Sequence, residues 1–153
     1  MADELRMGHL RGIVMRAPGI TETAEFYTGQ WGLSVAHAED GIVYLRGTGA
    51  EPFIYGLKDD GVYGIDYIHF GQPDRATVDA FYHQVVDRGG TVLGPPAPLD
   101  GPFGGYGFEI LDPDNRRLRV TADLNMRAPD EVYAYPRKIS HVVLNTADME
   151  TTK

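Results

Sequence analysis

The sequence predicts an α+β domain built from two βαβββ modules. Three observations predict it: an internal repeat at a spacing of 55 residues, an amphipathic helical stretch at the same place in each copy, and three short strand-like segments after each helix. "GIVMRAPGITETAEFY" (12–27) aligns without a gap on "YIHFGQPDRATVDAFY" (67–82), placing Ile13 on Ile68, Pro18 on Pro73 and Phe26-Tyr27 on Phe81-Tyr82. A repeat of this kind marks a supersecondary unit used twice. Nineteen glycines and ten prolines suit short strands and tight turns better than a helix bundle.

The elements follow in order. A strand through Ile13–Met15 opens the first copy, and Thr21 is the expected cap of the first helix. Glu22 and Glu25 then lie in its first turn, where the helix dipole favours negative charge, and Gly32 ends it. "LSVAHA", "GIVYLRG" and "PFIYGLK" are its three strands, with a turn at 39–41 and another at 47–49. In the second copy Asp74 is the expected cap. Val78, Phe81, Tyr82, Val85 and Val86 form an i, i+3, i+4, i+7, i+8 stripe, and Gly89-Gly90 closes the helix. "TVLG", "YGFEIL" and "RRLRVTA" follow, with Asp-Pro-Asp-Asn at 112–115 turning the last two. The glycine-rich run Gly101–Glu109 lacks the spacing and helix context of a phosphate loop and reads as a flexible turn.

Composition narrows the function. The length suits one self-supporting core, since a chain of this size buries roughly 68–70% of its unfolded surface. A net charge of −8 argues against nucleic acid or an acidic membrane as partner. The absence of cysteine excludes disulfides, thiolate zinc sites and thiol nucleophiles. "MADELRMGHLRG" has charges where a signal peptide needs an apolar run, and no stretch reaches membrane-spanning length. A cytoplasmic protein is the expectation.

The paired βαβββ pattern, the Phe-Tyr helices, "GLSV" and "FEILDPDNRRL" together resemble the vicinal oxygen chelate superfamily, which holds glyoxalase I, the bleomycin-resistance proteins and the extradiol dioxygenases. The resemblance covers about residues 8–123 and restarts at Ile139. It implies the glyoxalase/bleomycin-resistance/dioxygenase fold, with metal ligands offered from the first and last strands of the modules. Carried over by position, those places hold Gly12, Tyr67 and Arg119. Gly12 has no ligating side chain and Arg119 is a permanent cation, so this domain is expected to be metal-free.

The C-terminal stretch aligns on the first copy at a spacing of 129 residues, putting Val142-Val143-Leu144 on Ile13-Val14-Met15. Ile139, His141, Val143 and Asn145 alternate as in a strand, and "TADMETT" reads as the start of a helix. His141 falls on the family's first ligand place, so the resemblance implies His141 as a metal ligand. The organisation expected is a metal-free domain at 1–123, a linker at 124–138 held by Tyr133 and Tyr135, and the start of a truncated second domain at 139–153.

By this resemblance the chain is most like the N-terminal, non-catalytic part of a two-domain type I extradiol dioxygenase. The parent would use Fe(II), with Mn(II) possible, on a catechol-type small aromatic, and would be a homo-oligomer. This chain alone is expected to be inactive and to bind no metal, because the second histidine and the carboxylate would lie downstream. The alternative is a stand-alone, bleomycin-resistance-like binding protein, for which the net charge suits a cationic ligand. A third reading is structural, with the strand from Ile139 pairing on another copy's sheet edge.

The remaining candidates are weighed singly. His69 and Tyr67 share one strand face, and His69 reads first as a hydrogen-bonded core histidine. Glu109 either faces the cup with Arg119 or pairs with a surface cation. Tyr44, Phe53, Tyr55, Tyr63 and Tyr67 are candidates to line an aromatic pocket, with core packing the plainer role. His9, His37 and His83 read as residues near turns or on a helix surface.

Overall fold

The computed structural model describes residues 5–150. Its elements are β1 (His9–Arg16), α1 (Ile20–Gln30), β2 (Ser34–Glu39), β3 (Ile42–Arg46), β4 (Tyr55–Lys58), β5 (Gly64–Gly71), α2 (Arg75–Asp87), β6 (Thr91–Val92), β7 (Ala97–Pro98), β8 (Gly104–Leu111) and β9 (Arg117–Leu124). All nine strands join one sheet in the order β2-β3-β4-β1-β5-β9-β8-β6, with the two-residue β7 alongside β8. The two modules meet where β1 and β5 run antiparallel, and Ile13 lies opposite Ile68, the pair that the repeat superimposes. Each module's first strand pairs in parallel with its last, β1 with β4 and β5 with β9. The α+β architecture of paired modules is therefore as the repeat predicts.

Alternation along the strands sorts side chains to two faces. One face lies under the helices. Ile20 and Ala24 of α1 cover Leu45, Ile54 and Leu57, while Val78 and Phe81 of α2 cover Phe108, Val120 and Ala122. The opposite face carries a third cluster of Val14, Phe53 and Tyr67, the floor of a cup.

Local signals succeed at α2 and partly fail at α1. Asp74 caps α2 by accepting the Thr77 N–H at 2.8 Å. Thr21 does not cap α1: the helix starts at Ile20, and Gly19, in left-handed backbone with φ 69°, is its N-cap without a side-chain bond. Such a φ suits glycine, which has no Cβ to clash. The Phe-Tyr match also misplaces a face, because Phe26 is half-exposed whereas Phe81 is buried. Ala24 and Tyr27 do in α1 what Val78 and Phe81 do in α2, so the buried faces are related by 54 residues rather than 55.

The glycine-rich run is only partly a turn, because β8 begins at Gly104. A Cβ at Gly107 would run into the Val120 carbonyl oxygen, so glycine there lets β8 approach β9. His9 opens β1, and His37 lies two residues before the end of β2, each near a turn as expected.

After β9 the chain straps back over the first module. Arg127 N–H donates to the Ala50 carbonyl, Thr48 N–H to that of Pro136 and Gly49 N–H to that of Arg137. Tyr135 lies against Gly32, whereas Tyr133 is mostly exposed with the Arg137 guanidinium 4.8 Å from its ring centre. The expected strand from Ile139 and helix from Thr146 do not form among the described residues. Residues 140–144 instead lie on the helix side of the sheet, over Leu10, Ile68, Phe70 and Leu118. A strand needs a free ladder edge, and the middle of a sheet face offers none. Thr146–Glu150 form local turns in which Asp148 Oδ1 accepts the Glu150 N–H, and residues 151–153 lie outside the described residues.

Candidate functional site

The cup is the concave face where the modules meet. Register sets its floor: Gly12 lies opposite His69 and Val14 opposite Tyr67, while His69 lies beside Arg119 of the parallel strand β9. Tyr44 comes from β3 and Phe53 from the loop before β4. Of the five aromatics expected in a pocket, Tyr44, Phe53 and Tyr67 line it. Tyr55 points to the helix side, 4.7 Å from Tyr27, and Tyr63 is exposed.

Phe103 is the wall that the sequence did not single out. Its ring enters the cup from the loop before β8, with centroids 5.0 Å from Phe53 and 5.1 Å from Tyr44. The space left behind it is about 40 Å³. That admits a water molecule or so, whereas a cavity known to take benzene measures ~150 Å³. Leu99 and Asp100 complete the wall beside Phe103.

His69 is the buried polar group of this floor. It is 2% exposed, and its Nε2 lies 2.7 Å from Thr121 Oγ1. The Thr121 hydroxyl also lies 3.5 Å from the Phe70 carbonyl, so one ring nitrogen of His69 is paired through Thr121. Nδ1 has no hydrogen-bond partner in the protein. Burial, then the charges of Arg119, Arg11 and His9, hold the imidazole well below its usual titration range, so the ring is neutral. The expectation of a hydrogen-bonded core histidine is met, by Thr121, and the other nitrogen is orphaned.

Arg119 and Glu109 meet, as one of the two readings of Glu109 expected. Arg119 Nε donates to Glu109 Oε1 at 2.8 Å, and Arg117 lies 3.8 Å from the same carboxylate. The Arg119 guanidinium carbon also lies over the Tyr67 ring, 3.8 Å from its centre. Burial pushes the Tyr67 phenol up, so it stays protonated.

The three inherited ligand places thus come together without making a ligand set. Gly12 is closed as well as empty, because a Cβ there would sit 2.7 Å from the Ile54 carbonyl oxygen. Tyr67 is neutral and Arg119 is cationic, and a divalent ion needs anionic or neutral lone pairs. The cup residues do not fit a metal, and no group of three His, Asp or Glu that could hold one occurs among the described residues. His141 lies on the other side of the sheet, exposed, with Nδ1 3.0 Å from Ser140 Oγ.

No protein-family model matches the sequence, and no curated protein matches it. Solved structures do. The Mn(II)-bound glyoxalase from Novosphingobium aromaticivorans superimposes with a TM-score of 0.89 at 28% identity, over 95% of this chain and 50% of that one. A variant of homoprotocatechuate 2,3-dioxygenase from B. fuscum gives 0.73 at 16% identity, over 88% of this chain and 39% of that one. The 2,3-dioxygenase LapB from Pseudomonas sp. KL28 gives 0.66 at 21% identity, over 80% and 42%. The dioxygenases share the fold, and the chain spans half or less of each relative's length. No helix of the described residues is long and apolar enough to cross a membrane.

Proposed function

From a chain that carries the fold of the vicinal oxygen chelate superfamily, we propose that it is the N-terminal, non-catalytic half of a metal-dependent enzyme, of the extradiol ring-cleavage class acting on a catechol-type aromatic. One observation carries the reading. The fold matches half of a Mn(II)-bound protein, yet the cup of this half holds Gly12, Tyr67 and Arg119 where ligands would stand. A closed glycine and a fixed guanidinium leave the metal to another domain.

In this reading residues 1–123 are the metal-free domain, 124–138 the linker and 139–153 the opening of a second domain, with His141 its first metal ligand. Bound in that second domain, Fe(II), or Mn(II), would supply the Lewis acidity and redox chemistry for ring cleavage, with His141 among the residues that would hold it. The part played by the present residues is support. The strap of Arg127, Pro136 and Arg137 on the 48–50 loop fixes where residue 139 leaves the domain. Arg116 fixes the next stretch: Asp112 and Asp114 hold its guanidinium at 2.6 and 2.8 Å, and it donates to the Asn145 carbonyl at 2.6 Å. The whole protein would work as a homo-oligomer in the cytoplasm.

Reading the gene past codon 153 tests this. Continuation into a helix with a second histidine and a later glutamate is the expected result, with Fe(II)-dependent oxygen uptake on catechol by the whole product and none by residues 1–153. A stop codon directly after Lys153 would refute the proposal.

A further inference from the structure

Within the cup, two features are left unexplained by a purely supporting role. His69 Nδ1 is a buried polar atom without a hydrogen-bond partner. Phe103, the ring that closes the cup, belongs to a loop rather than to the floor, and Gly104 after it holds a left-handed φ of 60°. The loop is not covered by other elements, since Gly101 and Pro102 are exposed.

Phe103 is also a partition. On its inner side is the narrow space of about 40 Å³ beside His69. On its outer side is an open cleft of about 340 Å³, which Pro102 and Phe103 themselves help to line. Turning one side chain outward joins the two. The opening would be bounded by aromatic faces and edges, those of Tyr44, Phe53 and Tyr67, and would be the size of the ring removed. A flat, benzene-sized molecule recovers the ring contacts that Phe103 gives up.

The polar lining then selects among such molecules. His69 Nδ1 requires a hydrogen-bonding partner, which a hydroxyl supplies and a hydrocarbon does not. Arg119 already has Glu109 at 2.7 Å and lies over the Tyr67 ring, so it offers an incoming anion little. Asp100 at the wall disfavours an anion further. The Arg119 guanidinium in the same lining disfavours a cation, so opposite charges at the wall and floor leave a neutral molecule the best fit.

We propose that the metal-free cup is a binding site for a neutral single-ring phenol, which displaces Phe103 and pairs its hydroxyl, able to donate or accept, with His69 Nδ1. This goes beyond the support role and does not depend on the gene continuing. Water trapped on Nδ1 behind a permanent plug is the competing state.

The test is NMR titration of the 153-residue chain, metal-free, with phenol, toluene and benzoate. Phenol is expected to saturate as one site and to shift the His69 and Phe103 ring signals, with toluene at least tenfold weaker and benzoate without effect. Phe103→Ala is expected to tighten phenol about tenfold, and His69→Leu to abolish the preference for phenol over toluene while leaving toluene bound. Three results would each overturn the proposal. They are no response to phenol in the unaltered chain, equal binding of phenol and toluene to it, and binding that appears only once Phe103 is removed. The unaltered chain decides the matter even if a variant fails to fold.

Discussion

Acidification from about pH 7.5 to about pH 5.5 should weaken the fold through His69. The imidazole is held neutral in the folded state by burial and by the nearby positive charges. The unfolded chain takes up a proton on it below about pH 6.5. The folded value is the lower one, so its neutrality costs nothing above that pH and progressively destabilises the fold as pH falls. Each pH unit below costs about 1.4 kcal/mol for as long as the folded ring stays unprotonated, which makes about 1.4 kcal/mol over the interval named. Urea unfolding at both pH values reads the total. His69→Leu carries no titrating group, so its loss over the same interval should be smaller by that amount. Its own packing deficit, from the lost Thr121 bond and the lost stack on Phe53, is common to both pH values and cancels. Equal pH-dependent losses in the two proteins, or a His69 ring signal that titrates near the ordinary imidazole value, would refute the argument.

Two further expectations rest on close backbone contacts. Gly12→Ala should lower stability by about 1–3 kcal/mol, the usual cost of overpacking, because the new methyl meets the Ile54 carbonyl; Gly94→Ala, with open space around it, should stay within about 0.5 kcal/mol in the same urea assay. Gly47→Ala pushes a Cβ into the Pro136 carbonyl, so the strap should loosen and tryptic cleavage after Arg137 and Lys138 should quicken about 5–30-fold, as for a local loss of 1–2 kcal/mol; unchanged cleavage would mean that the strap is not held there.

The sequence by itself determined the two paired modules, the helices α1 and α2, and every strand but the two-residue β7. These depend on period and on local chemistry: the stripe from Val78 to Val85, the Asp74 carboxylate over the Thr77 N–H, the glycine at 32 that takes φ 68° after α1. The same local logic misjudged α1, where Gly19 and not Thr21 stands at the N-cap, since a turn set by the preceding strand decides where the helix begins. It also assigned an alternating strand to 139–145, for which no ladder partner lies within reach among the described residues. Period tells which side of a strand a residue takes, and so Tyr67 and His69 were legible as neighbours on one face. Only the tertiary structure decided what stands opposite that face. Phe103 reaches Phe53 across fifty residues of chain at 5.0 Å, Arg119 settles on Tyr67 through a parallel pairing of β5 with β9, and the Ile54 carbonyl closes the space above Gly12. Those contacts depend on the pairing of strands distant in sequence, including the register shift between Leu10 and Gly12, which no local pattern of residues encodes.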